Sequence, residues 1–171
     1  YMDITARLAA KRVTVSFEIF PPKKQDGMES VKQAARELVS LHPDFISITC
    51  GAGGSQATAG TTQSNTAEIA ASVEGQATAA LAHLTCVRVT REQLEANIAH
   101  YKALGIKNVL ALRGDMPRDM AEGENVFPSG LTHASDLVPL LKDAGFCVGG
   151  ACYPEGHPES RNRDADIDNL K

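Results

Sequence analysis

Five short apolar runs, each followed by a helical pattern, recur along this chain at intervals of about 30–40 residues, and no other feature restricts the fold so severely. The runs begin near residues 13, 44, 78, 107 and 147. Strict β-α alternation requires parallel strands joined by crossover helices. Two architectures satisfy it. A doubly wound sheet of five strands would be complete at 171 residues, but no G-x-G-x-x-G follows the first run. A (β/α)8 (TIM) barrel takes about 250 residues. The pattern therefore predicts an α/β chain that supplies the first five β-strands of such a barrel. Residues 1–171 would be one domain, its N-terminal part, with the C-terminal units absent.

In order, residues 3–11 predict a short leading helix and 13–20 a first strand that stops at Pro21-Pro22. Met28, Val31, Ala35 and Leu38 fall at helical spacing, and 44–50 is a second strand. A Gly-rich turn at 51–55 runs into an Ala/Thr/Gly/Gln stretch expected to be a loop as far as Ser64, with a helix over 65–73 capped by Asn65. Strand 78–85 follows. Thr90 and Gln93 form a capping box for a helix whose stripe is Leu94, Ile98, Tyr101 and Leu104, closed by Gly105. Strand 109–112 leads into a long connection, expected to be a lid or ligand-binding segment, before helix 135–144 and strand 147–153. Residues 164–171 read as the start of another helix.

Each strand ends in polar side chains: Glu18; Thr49; His83 and Thr85; Arg113 with Asp115; Tyr153, Glu155 and His157. In a parallel barrel these ends converge on one mouth, where sites are built. Glu18 alternates with Phe17 and Ile19, so it shares the inward face with Ser16 and Phe20. A carboxyl buried there would have a raised pKa, which suits a proton donor. Taken singly, His83 reads more often as a hydrogen-bonded structural histidine than as a ligand, and Arg113 with Asp115 could be a surface ion pair. Gly51 to Gly54 lacks the Lys-Ser/Thr sequel of a P-loop, and no strand carries a Schiff-base lysine.

Composition narrows the function classes. Hydrophobic residues make up 43% and charged residues 22%, as in ordinary globular proteins. A net charge of -4 without a basic run argues against nucleic acid, and no apolar run reaches membrane-span length. Cys50, Cys86, Cys147 and Cys152 lack metal-ligand spacing; no metal is expected, and buried free thiols in a reducing cytoplasm are.

Six blocks carry a more specific signal: Ser16-Phe-Glu-Ile-Phe-Pro-Pro22, Ile48-Thr-Cys-Gly-Ala52, Ala82-His-Leu-Thr-Cys86, Ala111-Leu-Arg-Gly-Asp115, Ala134-Ser-Asp-Leu137 and Tyr153-Pro-Glu-Gly-His-Pro158. In order and spacing they resemble the methylenetetrahydrofolate reductase family. The resemblance implies a cytoplasmic flavoprotein oxidoreductase of one-carbon metabolism and methionine biosynthesis, expected as a homo-oligomer. In it NADH or NADPH reduces bound FAD, which reduces 5,10-methylenetetrahydrofolate to 5-methyltetrahydrofolate, the two substrates taking turns. It further implies that Glu18 is the catalytic acid and that Asp115 stabilises the cationic folate beside the flavin, both touching substrate. Thr49, Cys50, Ala52, His83, Arg113, Gly114, Asp115, Ala134, Tyr153, His157, Asp166 and Asn169 match positions that line the FAD, with Arg113 and His83 assigned to its polar and phosphate parts. Two departures stand out. Cys50 replaces a frequent aromatic, and the run after Gly54 lacks the family's arginines. A non-catalytic part-barrel, needing its other half or a partner, is the alternative.

Overall fold

The computed structural model describes residues 3–10, 13–22, 25–50, 59–74, 76–117 and 119–170. Its elements are α1 (Ile4–Ala10), β1 (Ser16–Ile19), α2 (Met28–Val39), β2 (Phe45–Ile48), α3 (Ala59–Val73), β3 (Ala79–Thr85), α4 (Arg91–Ala103), β4 (Asn108–Leu112), α5 (Ala134–Asp143), β5 (Cys147–Gly150) and α6 (Arg163–Asp168).

The strands pair in parallel in the order β1-β2-β3-β4-β5. That order decides the architecture. A doubly wound sheet must reverse direction at a switch point and put helices on both faces, whereas a monotonic order of right-handed crossovers puts every helix on one face. Ile46, Ile48, Ala80, Ala82, Leu84, Val109 and Ala111 alternate along the strands and are fully buried. They form one apolar cluster with Met28, Ala35 and Val39 of α2, Ile69 and Val73 of α3, Leu94 and Tyr101 of α4, and Leu137 and Leu141 of α5. The opposite face is the interior of a barrel wall. Its register row runs Glu18, Ser47, Leu81, Asn108, Cys147. Among the described residues β1 and β5 each pair on one side only, so the wall is open.

Helix α1 crosses the N-terminal end of this wall. Asn108 Oδ1 accepts the Ile4 N–H at 3.0 Å while its Nδ2 donates to Ala80 O at 3.1 Å. Thr5 Oγ1 lies 3.2 Å from Cys147 Sγ, and Arg7 Nη2 donates to Ala77 O.

Local chemistry sets the clearest boundaries. Thr90 Oγ1 accepts the Gln93 N–H at 3.2 Å and Gln93 Oε1 accepts the Thr90 N–H at 2.9 Å, the reciprocal box that opens α4. Gly105, at φ +77°, closes it. At α5 the Asp136 carboxylate accepts the N–H groups of Thr132 and His133, which hold its pKa below the ordinary value.

Four expectations are corrected. First, α3 begins at Ala59 rather than Asn65, so residues 59–64 are helix and not loop. Asn65 is no cap; it sits buried, donating to Pro22 O at 3.3 Å, while Thr66 Oγ1 donates to Thr49 O at 2.8 Å. These polar bonds to the strand ends replace the apolar stripe whose absence suggested a loop. Residues 51–58, which contain the Gly-rich turn and Ala52, lie outside the described residues. Second, β1 starts at Ser16 and β5 stops at Gly150. Before β1, Val15 is tied to Asp44, through Val15 N to Oδ2 and Asp44 N to Val15 O. After Gly150 the ladder ends, two glycines and then Pro154 offering it little. Third, the long connection after β4 is not a loose lid. The Arg88 guanidinium bonds Glu124 in bidentate fashion and Asp119 at 3.0 Å. Arg88 N donates to Val126 O, and Phe127 and Leu131 pack against the core. Fourth, all four cysteines are free, but only Cys50 and Cys86 are buried; Cys152 lies past the strand end and is exposed.

Candidate active site

The polar residues singled out in the sequence divide into three groups along the C-terminal rim. The first surrounds the ends of β2 and β3. His83 points to the inner face and its Nε2 lies 2.7 Å from Ser47 Oγ on the neighbouring strand, both residues being buried. Burial pushes the His83 pKa down to about 4, so the imidazole is neutral at pH 7. Its carbonyl accepts the buried Tyr101 hydroxyl at 2.9 Å, which pins this segment of β3 to α4. Thr49 extends the ladder past β2, its N–H donating to Ile19 O. Cys50 is buried against Thr85, and burial raises its thiol to about 11. It is therefore a neutral packing residue, without the thiolate that nucleophilic chemistry needs.

His83 is thus uncharged on the inner face at pH 7. It can offer a hydrogen bond, not a cation.

The second group is built on β4. Arg113 follows its last residue, and both terminal nitrogens grip the Glu159 carboxylate, Nη2 to Oε1 at 2.9 Å. That bond raises the Arg113 pKa further, with smaller contributions from nearby Asp115 and Tyr153. The same contact, led by the Arg113 hydrogen bond, lowers the pKa of Glu159. Gly114 adopts φ +89°, and a Cβ there would lie 2.5 Å from Val87 Cγ1. Both the conformation and the space require glycine. Asp115 is exposed beside this turn. Ala134 opens α5 beyond the anchored connection.

The third group follows β5. The rings of Tyr153 and His157 meet edge to face at 4.9 Å. His157 N donates to Asp166 Oδ2, and His157 Nδ1 accepts the Glu159 N–H. Asp166 thereby ties α6 to the rim, and Asn169 ends that helix. The Arg113–Glu159 pair joins the second and third groups.

Glu18 stands apart. It is on the inner face, as alternation predicted, in register with Ser47. The burial expected of it is absent: β1 is an edge strand and Glu18 is exposed. Glu18 and Asp115 lie three strands apart and share no hydrogen bond. Sequence reasoning missed Ser47, Glu159 and Tyr101. Ser47 was accessible to it, since it is the polar residue two before Thr49 on the same strand face; a pair 46 residues apart such as Arg113 and Glu159 had no local signal.

The sequence model described as Methylenetetrahydrofolate reductase matches residues 3–171. The chain belongs to the methylenetetrahydrofolate reductase family. A relative named 5,10-methylenetetrahydrofolate reductase from Pectobacterium carotovorum is 38% identical over 162 residues, 94% of this chain and 50% of the relative. One of the same name from Escherichia coli is 35% identical with the same coverage. Methylenetetrahydrofolate reductase (NADH) 1 of Arabidopsis thaliana is 38% identical over 150 residues, covering 84% of this chain and 24% of that one. The chain thus spans about half the length of its bacterial relatives in this family. Among solved structures, N-acetylneuraminate lyase from Fusobacterium nucleatum superposes with a TM-score of 0.55 at 12% identity, over 92% of this chain and 51% of that chain. That likeness shows the fold: five parallel βα units of a TIM barrel.

Proposed function

We propose that this chain forms the flavin-binding half of an NAD(P)H-dependent oxidoreductase that reduces 5,10-methylenetetrahydrofolate to 5-methyltetrahydrofolate in the cytoplasm. Family membership supports the reaction class. The observation that supports the residue assignment is the strand order: β1, β2, β3 and β4 run parallel as neighbours, with Glu18, Thr49, His83, Arg113 and Asp115 on or just past their C-terminal parts.

The residues fit FAD by their donor chemistry. His83 offers an uncharged ring nitrogen, Arg113 a cation already oriented by Glu159, and Gly114 a backbone without a side chain in the way. Bound FAD would supply the hydride relay between nicotinamide and folate. The chain's own part is to hold and polarise. Glu18 would donate the proton that opens the folate's five-membered ring, and Asp115 would set a negative charge beside the cation so formed.

The test is to purify the full-length protein, record its visible spectrum, and assay NADH and NADPH oxidation with menadione and then with the folate. A yellow protein that oxidises either nucleotide is expected. A colourless protein that cannot be reconstituted with FAD sinks the proposal.

One observation favours a second reading, in which the part-barrel is inactive until complemented: the unpaired outer edges of β1 and β5. Sedimentation of the 171-residue chain separates the two. A flavin-free stable monomer favours an inactive remnant, and flavin-bearing oligomers favour the enzyme.

A further inference from the structure

Ser47 has a role that none of the assigned site residues supplies. Ser47 is buried, and within the described residues its hydroxyl's hydrogen-bond partner is His83 Nε2, at 2.7 Å. A serine hydroxyl has one hydrogen to give, and a buried hydroxyl hydrogen without an acceptor is costly. Nε2 is the acceptor on hand, so Ser47 donates and Nε2 accepts. A neutral imidazole carries one ring proton, which must then sit on Nδ1. Among the described residues the one fully buried side-chain polar atom without a partner is Arg7 Nε. Nδ1 of His83, which has no partner among the described residues either, must therefore still reach solvent, on the inner face that carries Glu18. The Tyr101 bond to the His83 carbonyl holds the backbone from the other side, so neither the ring's strand nor its tautomer is free to drift.

We infer that Ser47 is a positioning residue that locks His83 as its Nδ1–H tautomer, so that this face presents a hydrogen-bond donor to an acceptor atom of the bound ligand. Under the flavin reading, on which the ligand half of this inference rests, the acceptor is an oxygen or unprotonated nitrogen of FAD.

The first measurement needs no flavin. Two-bond nitrogen–proton correlation spectra of the full-length protein with 15N-labelled histidine identify which ring nitrogen carries the proton. The Nδ1–H pattern is expected for His83 in the unaltered protein, a mixture of tautomers in Ser47→Ala, and the Nδ1–H pattern again in Ser47→Thr. An Nε2–H pattern in the unaltered protein overturns the inference whatever the protein binds. The second measurement is FAD affinity by flavin fluorescence. Ser47→Ala should weaken it about tenfold and Ser47→Thr should restore it. Riboflavin and inorganic pyrophosphate run as competitors locate the acceptor, since the one whose affinity also falls in Ser47→Ala carries it. Unchanged FAD affinity in Ser47→Ala refutes the ligand half. If no variant and no unaltered sample binds FAD, the flavin reading fails, while the tautomer spectra still decide the role of Ser47.

Discussion

The two faces of one five-stranded sheet obey different rules. On the outer face, side chains are aliphatic and fully buried: Ile46, Ile48, Leu84 and Val109 pack against the helices. On the inner face, the same strands carry Glu18, Ser47, His83 and Thr85, each with its own polar partner or exposure. The contrast teaches that stability and chemistry are segregated by the two-residue period of the strand. A single residue's parity decides which it serves.

This division can be broken or sharpened by four changes, taken from the largest expected loss of stability to the smallest. Leu84→Ala empties a fully buried position under the helices and should cost about 2–5 kcal/mol in urea unfolding. A loss below 1 kcal/mol (roughly the surface level) would mean the outer face is not the core. For His83, the folded state keeps the ring neutral down to about 4 against an ordinary 6.5. Between these values the unfolded chain binds a proton that the folded chain refuses. Stability is complete above about pH 6.5 and declines as the pH falls to about 4, by up to about 3 kcal/mol. Denaturation curves of His83→Gln should lose that slope; an identical slope would place its origin elsewhere. Gly114→Ala combines a left-handed backbone with a clash against Val87 and should cost about 1–3 kcal/mol. Adding Val87→Ala should recover the clash portion only, a partial rescue visible in the unfolding midpoint.

Glu18→Gln is the sharpest case. The side chain is exposed, so stability should move by no more than about 0.5 kcal/mol. Folate reduction by the full-length protein should nonetheless fall about 10²–10⁴-fold, with menadione reduction retained. An equal loss in both assays would remove Glu18 from the folate step.

Where local chemistry governs, the fold was legible. The α4 capping box needs only Thr90, Gln93 and the backbone between them, and it is present as expected. Strand parity put Glu18 on the correct face because alternation is intrinsic to extended chain. Legibility failed where the deciding partner is distant. Helix α3 is fastened by Asn65 to Pro22 O and by Thr66 to Thr49 O, bonds that span 43 and 17 residues. Its first turns, residues 59–64, are Ala-, Gly- and Thr-rich and show no apolar stripe to betray them. The exposure of Glu18 depends on what lies across the barrel, which no property of Ser16 to Ile19 records. The neutrality of His83 comes from burial among residues contributed by other strands and helices.

The short first helix has a consequence for traffic. By fastening itself across the starts of β3, β4 and β5 through Ala77, Asn108 and Cys147, it floors the vessel those strands begin to form. The end closed in this way is the one opposite the C-terminal rim where the polar side chains gather. Under the proposed function, whatever enters the pocket would approach from the rim and not past this helix.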